Sequence, residues 1–440
     1  MRPARLLVIC PAAPQLRIER PGQRAPLRTR VFRLTMMSAL SVAASAPDDV
    51  EVSIVDENVE AVDFDADVDL VGVSFMTFNA PRAYEIARRF RAKGRTVLFG
   101  GYHPSLQPEE AGAQCDALCV GPAEPNLPRM IDDWRRGRLQ RVYRLPLTEF
   151  RTRTLDPALV RRMQYIASTV VQATRGCHNR CEFCSVAAFS GNVLQTKPVD
   201  DVLREIRAAR GRSVLFIDDS LSADSAYFHE LLRALVPLRI RWYSQIGFAV
   251  TRETETLDLL ERSGCRGVFI GFESVSQDSL DETRKGFNRA DEYREGIRKL
   301  HDRGIGVFGA FVLGYDSDSP AIFERTLRFL DDAEVDALQL TVLTPFPGTP
   351  LYRRMEEQGR IIDRNWDHYD LGHVVFRPAR MSPAELRAGH DMILERFYSW
   401  PAVLRRLRRQ ARTLGPRNLG LAALIGWGYR TKTRLDGYVQ

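Results

Sequence analysis

Three cysteines crowd into the stretch ATRGCHNRCEFCSVAAF, residues 173 to 189, as Cys177, Cys181 and Cys184 in a C-x3-C-x2-C pattern. Four thiolates would close a tetrahedral zinc site or ligate every iron of a cubane. Three thiolates on a cubic iron–sulfur cluster leave one iron open to a substrate or cofactor. A zinc site needs a fourth ligand, and His178, adjacent to Cys177, would bite too tightly. Cys265 lies far along the chain on another strand, and the C-x-x-C-H haem pattern is absent. Phe183 places an aromatic ring directly before Cys184, while Gly176 and Asn179 suit a tight wrapping loop.

Paired carboxylates, Asp218 and Asp219, end the run SVLFIDD. They suit acid–base chemistry in a cavity, and they equally suit capping of the next loop.

The chain that must position these groups has 440 residues, 44% of them hydrophobic, enough for two or three domains with real cores. Its net charge of +7 is ordinary for the length and points only weakly to anionic partners. Seven cysteines at irregular spacing do not form a secreted disulfide framework, and Cys10, Cys115, Cys119 and Cys265 read as buried small hydrophobes. No apolar run reaches the ~18 residues that span a bilayer. The stretch RVFRLTMMSALSVAASAPD imitates a targeting signal, but Leu34, Met37, Leu40 and Ala44 recur at helical spacing, so a first helix and a cytoplasmic location are expected.

Over residues 1–150, RLLVIC, VEVSIVD, DLVGVSF, TVLFGG and DALCV are buried-strand runs. Between the third and fourth, Ala83, Ile86, Ala87 and Phe90 line one helical face, with Asn79 as cap and Gly94 at the end. Such alternation gives an α/β, doubly wound parallel sheet of Rossmann type. Residues 151–169 read as a linker. Over 170–380 six strand runs follow: VVQATRG, SVLFIDD, RWYSQIG, GVFIGFE, GVFGAFVLG and LQLTVLTP. They suggest a partial (β/α)6 barrel of TIM type, with its chemistry at the carboxyl ends of the strands. The cysteines directly follow the first of them. Residues 381–440 form a helical, increasingly basic extension.

C-x3-C-x2-C with an aromatic before the last cysteine, placed after the first strand of such a series, resembles the radical S-adenosylmethionine enzymes. The resemblance implies a 4Fe-4S cluster on Cys177, Cys181 and Cys184, whose open iron chelates S-adenosylmethionine. It implies reductive cleavage to a 5′-deoxyadenosyl radical, with a flavodoxin- or ferredoxin-like electron donor. GVFIGFES resembles the strand-four motif whose acid contacts S-adenosylmethionine, here Glu273. WYSQIG resembles strand three, with Tyr243 and Gln245 facing the same cavity as Glu273, and Phe183 packing beside the open iron. FGAFVLGYDSDS resembles the strand-five segment lying against the adenine; Gly314 matches its second glycine, but Asp-Ser replaces the usual Gly-Glu. LTPFPGTPLY resembles the strand-six Pro-x-Pro-Gly-Thr segment.

The first domain resembles the cobalamin-binding domain fused to one branch of these enzymes. Gly100, Gly101 and His103 match its Gly-Gly-x-His turn, and Glu124 the last acid of a degraded Gly-Glu-Gly-Glu. Amides from Ser74 to Thr77 would sit beside that turn, with His103 either near the ligand or merely a loop histidine. The Asp-x-His-x-x-Gly of cobalamin mutases is missing, so cobalt is expected without a histidine from this domain. The resemblance covers roughly residues 1 to 380. It implies methylation of an unactivated carbon of a small-molecule, lipid or natural-product substrate. The alternatives are a radical cyclisation, rearrangement or oxidation without methyl transfer, or a non-catalytic metal-binding protein. No nucleic acid is expected, since the tail shows no all-β RNA-binding pattern. Arg405, Arg406, Arg408, Arg409 and Arg412, with Leu419 to Trp427, suit either peripheral contact with the inner membrane face or a basic helix packed on the barrel. NWDHYDLGHVVF, near residues 365 to 376, suits closure over a substrate or simple packing.

Overall fold

The computed structural model describes residues 2–13, 17–18, 37–147, 149–150, 159, 169–209, 213–413 and 428. The expected linker (151–169) and the stretch Leu419 to Trp427 lie almost wholly outside these. The described residues fall into two compact units. One is Met1–Ser168 with Ala188–Ser190 and Asn365–Tyr369; the other is Thr169–Ala187, Gly191–Arg364 and Asp370–Gln440.

The first unit carries β1 (Ala4–Cys10), β2 (Val50–Asp56), β3 (Leu70–Ser74), β4 (Thr96–Gly100), β5 (Ala117–Cys119) and β6 (Val142–Tyr143). All pair in parallel, in the order β2-β1-β3-β4-β5-β6. β1 is buried along nearly its whole length because helices cover both faces, whereas the edge strand β2 alternates buried and open positions. The order reverses between β1 and β3, so the crevice beyond Cys10 and Ser74 is where such a sheet takes a ligand.

The helix Ala80–Ala92 buries Ala83, Ile86, Ala87 and Phe90 against Val71, Val73, Val97 and Phe99. Asn79 stands at its N-cap position, but its side chain makes no capping bond, contrary to expectation. Gly94 ends it in the left-handed region, φ +71°. The first helix among the described residues runs Met37–Ser45. Leu34 lies outside the described residues. The two-residue β6 was missed because so short a run has no period to read.

The second unit carries β7 (Val170–Val171), β8 (Thr174–Arg175), β9 (Gln195–Thr196), β10 (Ser213–Phe216), β11 (Arg241–Gln245), β12 (Cys265–Glu273), β13 (Gly306–Leu313) and β14 (Ala337–Val342). Six of them form one parallel sheet in chain order, β7-β10-β11-β12-β13-β14. Its strands alternate. Trp242, Val268, Ile270, Phe272 and Phe311 pack beneath the helices, while Tyr243, Gln245, Phe269, Gly271 and Phe308 share the opposite, lumenal face. β8 and β9 form a separate antiparallel pair that closes the base of the cysteine excursion. The capping box of Ser382 and Glu385 starts the helix Pro383–Phe397. Just beyond that helix, the Tyr398 hydroxyl donates to Leu338 O (2.7 Å) and tethers the tail to β14.

Candidate functional site

The cysteine loop leaves β8 through Gly176, whose φ of +79° an L side chain rarely adopts. Cys181 is buried, and Cys177 and Cys184 are partly open. Burial pushes the Cys181 thiol up to about 12, against the influence of Lys285 and with that of Cys184, Glu273 and Cys177. Burial also raises Cys184, with Lys285 and Cys177 again acting on it. The three thiols, Lys285 and Glu273 therefore share one neighbourhood. A cationic centre bound among them reverses the burial penalty, because the ligand is the thiolate. Among the described residues no three acidic, His or Cys side chains are drawn together as a mononuclear metal site.

Carboxylates fix this loop from two sides. Asp218 Oδ1 accepts from Ala173 N (3.0 Å), from Thr174 Oγ1 (2.8 Å) and from Thr174 N, and Asp219 Oδ2 accepts from Gly176 N (2.8 Å). Burial pushes the Asp218 carboxyl up to about 7. Asp218 therefore clamps the root of the cysteine loop, a different loop from the following one that its sequence position suggested it would cap. Between the second and third cysteines, Glu182 pairs with Arg354 and with Arg284 (3.2 Å). Glu182 N donates to Thr283 O (3.2 Å), and Leu351 N donates to Glu182 O (3.1 Å).

β12 ends in a register shift between Gly271 and Glu273, and Glu273 takes φ +66°. That bulge aims the carboxylate along the lumenal face, where Lys285 Nζ donates to its Oε1 (2.5 Å). Burial pulls the Lys285 ammonium down, but Glu273 and the Cys181 thiol outweigh it and hold it above its ordinary value. A Cβ on Gly271 would strike both side chains. Asn288 Nδ2 donates to Gly271 O (3.0 Å) and steadies the bend. Tyr243 and Gln245 lie on the lumenal face of the neighbouring strand β11, opposite Gly267 and Phe269. Gly314, φ +105°, closes β13, and its added Cβ would meet Leu386 and Phe376. The acid missing from the strand-five motif has a neighbour one step on. Asp318 accepts from Gly314 N (3.0 Å), Tyr315 N (3.1 Å) and Ser279 Oγ (2.9 Å).

In the first unit, Ser74, Thr77, Gly100, Gly101 and His103 come together at the ends of β3 and β4. Gly101 has φ +103°, and a Cβ there would lie 2.8 Å from the Phe75 backbone, so only glycine lets the two strand ends approach this closely. His103 is fully buried. Its Nε2 lies 3.0 Å from Tyr84 Oη and its Nδ1 3.3 Å from Thr77 Oγ1. Tyr84 gives its single proton to Glu110 (3.0 Å), so Nε2–H donates to the phenol oxygen and Nδ1 accepts from Thr77. Both nitrogens are thus engaged within the fold, and the ring holds the turn in place. Trp366 donates to the same Glu110 (2.9 Å) and meets His103 edge-on; this segment packs. Glu124 lies in the first turn of the helix Ala123–Arg135.

The basic tail pairs part of its charge with the barrel unit and leaves part exposed. On the helix Trp400–Thr413, Arg405 pairs with Asp331 (3.1 Å), Arg409 with Asp336 (3.2 Å), and Arg406 lies 3.7 Å over the Phe397 ring. Trp400, Leu404 and Arg408 face outward, and the Arg412 side chain lies outside the description. No helix among the described residues is long and apolar enough to cross a membrane.

Lys285, Asp318, Glu182 and the Tyr84–Glu110–Trp366 group were missed by sequence reasoning. Their one sequence signal was a charged or polar residue inside or just after a matched motif, which any solvated loop also shows.

Comparison with known proteins agrees with this geometry. The radical SAM superfamily model matches residues 171–330 and the B12 binding domain model residues 24–131; a domain of unknown function, DUF4070, matches 349–424. Bacteriochlorophyllide d C-12(1)-methyltransferase of Chlorobaculum tepidum is 31% identical over 387 residues, 84% of each chain. The bacteriochlorophyllide d C-8(2)-methyltransferase of the same organism is 27% identical, over 86% of this chain and 88% of its own. The solved cobalamin-dependent S-adenosylmethionine radical enzyme OxsB shares the fold with a TM-score of 0.69 at 13% identity, covering 98% of this chain and 71% of that one. The chain belongs to the radical SAM superfamily, in the group with a B12 binding domain ahead of the barrel. It is an enzyme of the cobalamin-dependent methyltransferase class, with a 4Fe-4S cluster, S-adenosylmethionine and cobalamin as its cofactors.

Proposed function

We propose that Cys177, Cys181 and Cys184 hold the cluster, and that Glu273, with Phe183, Tyr243, Gln245 and Gly314, receives S-adenosylmethionine. Ser74, Thr77, Gly100, Gly101 and the turn fixed by His103 receive cobalamin in the crevice of the first sheet. One observation carries the reading: the loop that bears the three thiols is bonded through Glu182 N to Thr283 O, two residues before the lysine that pairs with Glu273 at the carboxyl end of a parallel barrel sheet. When bound, the cofactors supply a 5′-deoxyadenosyl radical and a methyl donor for a substrate carbon.

The chain's own share is placement. Asp218, Asp219 and Glu182 hold the cysteine loop at both ends, and the Gly271 gap lets Glu273 lie flat against the lumen. Gly101 lets the ends of β3 and β4 approach closely where the first sheet would take its ligand. The substrate is a largely apolar ring system, a tetrapyrrole or polycyclic lipid: the lumen offers Phe269 and Phe308, centroids 5.1 Å apart, as an aromatic wall. A flavodoxin- or ferredoxin-type protein supplies the electron. The enzyme works in the cytoplasm, and among the described residues Trp400, Leu404, Arg405 and Arg408 are exposed tail side chains available to the inner membrane face.

Anaerobic reconstitution with iron and sulfide, followed by assay for 5′-deoxyadenosine with and without cobalamin, tests this reading. The wild type forms deoxyadenosine, and Cys→Ala at 177, 181 or 184 abolishes it. Undiminished formation in those variants refutes the assignment.

A further inference from the structure

Tyr315 follows Gly314 at the carboxyl end of β13 and is 1% exposed. Its hydroxyl has no hydrogen-bond partner among the described residues. Native proteins leave few buried polar groups in that condition, so an orphaned hydroxyl marks the place of a missing acceptor or donor. The ring meets Phe183 edge-on, centroids 6.4 Å apart, and Phe183 stands between Cys181 and Cys184. Burial first, then Glu273, Asp318 and Cys181, hold the phenol proton in place, so the group is a donor. The nearby carboxylates already have other donors. Asp318 serves Ser279, Gly314 and Tyr315 N; Glu282 serves Asp316 N and Ser317 N; Glu273 Oε1 serves Lys285.

Resting on the reading that the three cysteines hold a cluster, we propose that the Tyr315 hydroxyl donates a hydrogen bond to a sulfur of that cluster on its Cys181 side. Tyr315 is thereby a positioning residue that makes the cluster easier to reduce. Reduction adds negative charge to the sulfurs, and a hydrogen bond to sulfur stabilises the more negative state. The strand-five motif that matches Gly314 says nothing of the residue after it, so the role belongs to this chain's own side chain.

Tyr315→Phe keeps the ring and its contact with Phe183 and removes only the hydroxyl. Full-length wild type and variant are reconstituted anaerobically without S-adenosylmethionine, in H2O and D2O. Each is then poised at one fixed potential for electron paramagnetic resonance and deuterium electron–nuclear double resonance. The proposal expects an exchangeable deuteron coupled to the reduced cluster in wild type and none in the variant. It also expects a reduced-to-oxidised ratio about tenfold lower in the variant, the size of one hydrogen bond to a charged group. Equal ratios and equal couplings overturn it. So does a difference that emerges only after S-adenosylmethionine is added, which would put the hydroxyl on that ligand instead. A wild type that takes up no iron fails the cysteine assignment itself. A loaded wild type with an indistinguishable variant fails the Tyr315 proposal alone.

Discussion

Lys285 reaches Glu273 with its ammonium 2.5 Å from Oε1, and both side chains fill the space that Gly271 leaves by having no Cβ. Glu273 is held at φ +66°, a conformation that costs a non-glycine residue about 1–3 kcal/mol and persists where surroundings enforce it. Here they are the β12 bulge, the Asn288 bond to Gly271 O and the lysine itself.

Gly271→Ala should therefore misplace the pair. Overpacking of this kind costs about 1–3 kcal/mol, measurable as a lower urea midpoint. Equilibrium dialysis of S-adenosylmethionine on the reconstituted protein should show about tenfold weaker binding, the loss of roughly one charged contact. Wild-type affinity in this variant would mean that Glu273 does not face the ligand.

Asp218→Ala removes the acceptor of three donors at the root of the cysteine loop. Each buried donor left without a partner costs about 1–3 kcal/mol. Iron and sulfide per chain after reconstitution should fall well below wild type, while Asp218→Asn, which keeps an oxygen at Oδ1, should retain most of the loading. Equal loading in both variants would show that the loop holds its shape without the clamp.

Burial lowers His103 to about 4, against about 6.5 for a free imidazole. Between those values the unfolded chain binds the proton and the folded chain does not, so stability is full above pH ~6.5 and is lost as pH falls towards 4. One such group contributes a slope of about 1.4 kcal/mol per pH unit in that window. Urea midpoints across it should fall more steeply in wild type than in His103→Gln, and identical slopes would contradict the buried neutral imidazole. Cobalt spectra of the two loaded proteins should match, since neither ring nitrogen is free to coordinate.

Arg406→Ala should destabilise the barrel unit by about 1–2 kcal/mol, because the guanidinium is desolvated over Phe397. Arg408→Ala, on the exposed side of the same helix, should stay within about 0.5 kcal/mol. Thermal unfolding of the two variants separates them, and equal midpoints would contradict the inward placement of Arg406.

The sheets were legible because their strands are apolar runs of the right length, and the six barrel strands fall on the six runs read from the sequence. The cysteine spacing was equally plain, since a C-x3-C-x2-C cluster has few other uses. Partnerships across the fold were not legible. Lys285 is twelve residues from Glu273, Arg354 is 172 from Glu182, and Trp366 is 256 from Glu110. No local period links such pairs, because their meeting depends on where separate strand ends arrive. The basic tail stayed open between two readings for a related reason: charge pattern alone does not tell an arginine buried over a ring, such as Arg406, from one exposed on the same helix, such as Arg408.

The central claim is that three protein thiolates leave one iron of the cluster free for S-adenosylmethionine. Mössbauer spectroscopy of the protein reconstituted with 57Fe, recorded before and after that ligand is added, tests it most directly. The account predicts that one iron of the four changes its isomer shift and quadrupole splitting on addition while the other three do not. Four irons that ignore the ligand, or a protein that takes up zinc and no iron, would contradict it.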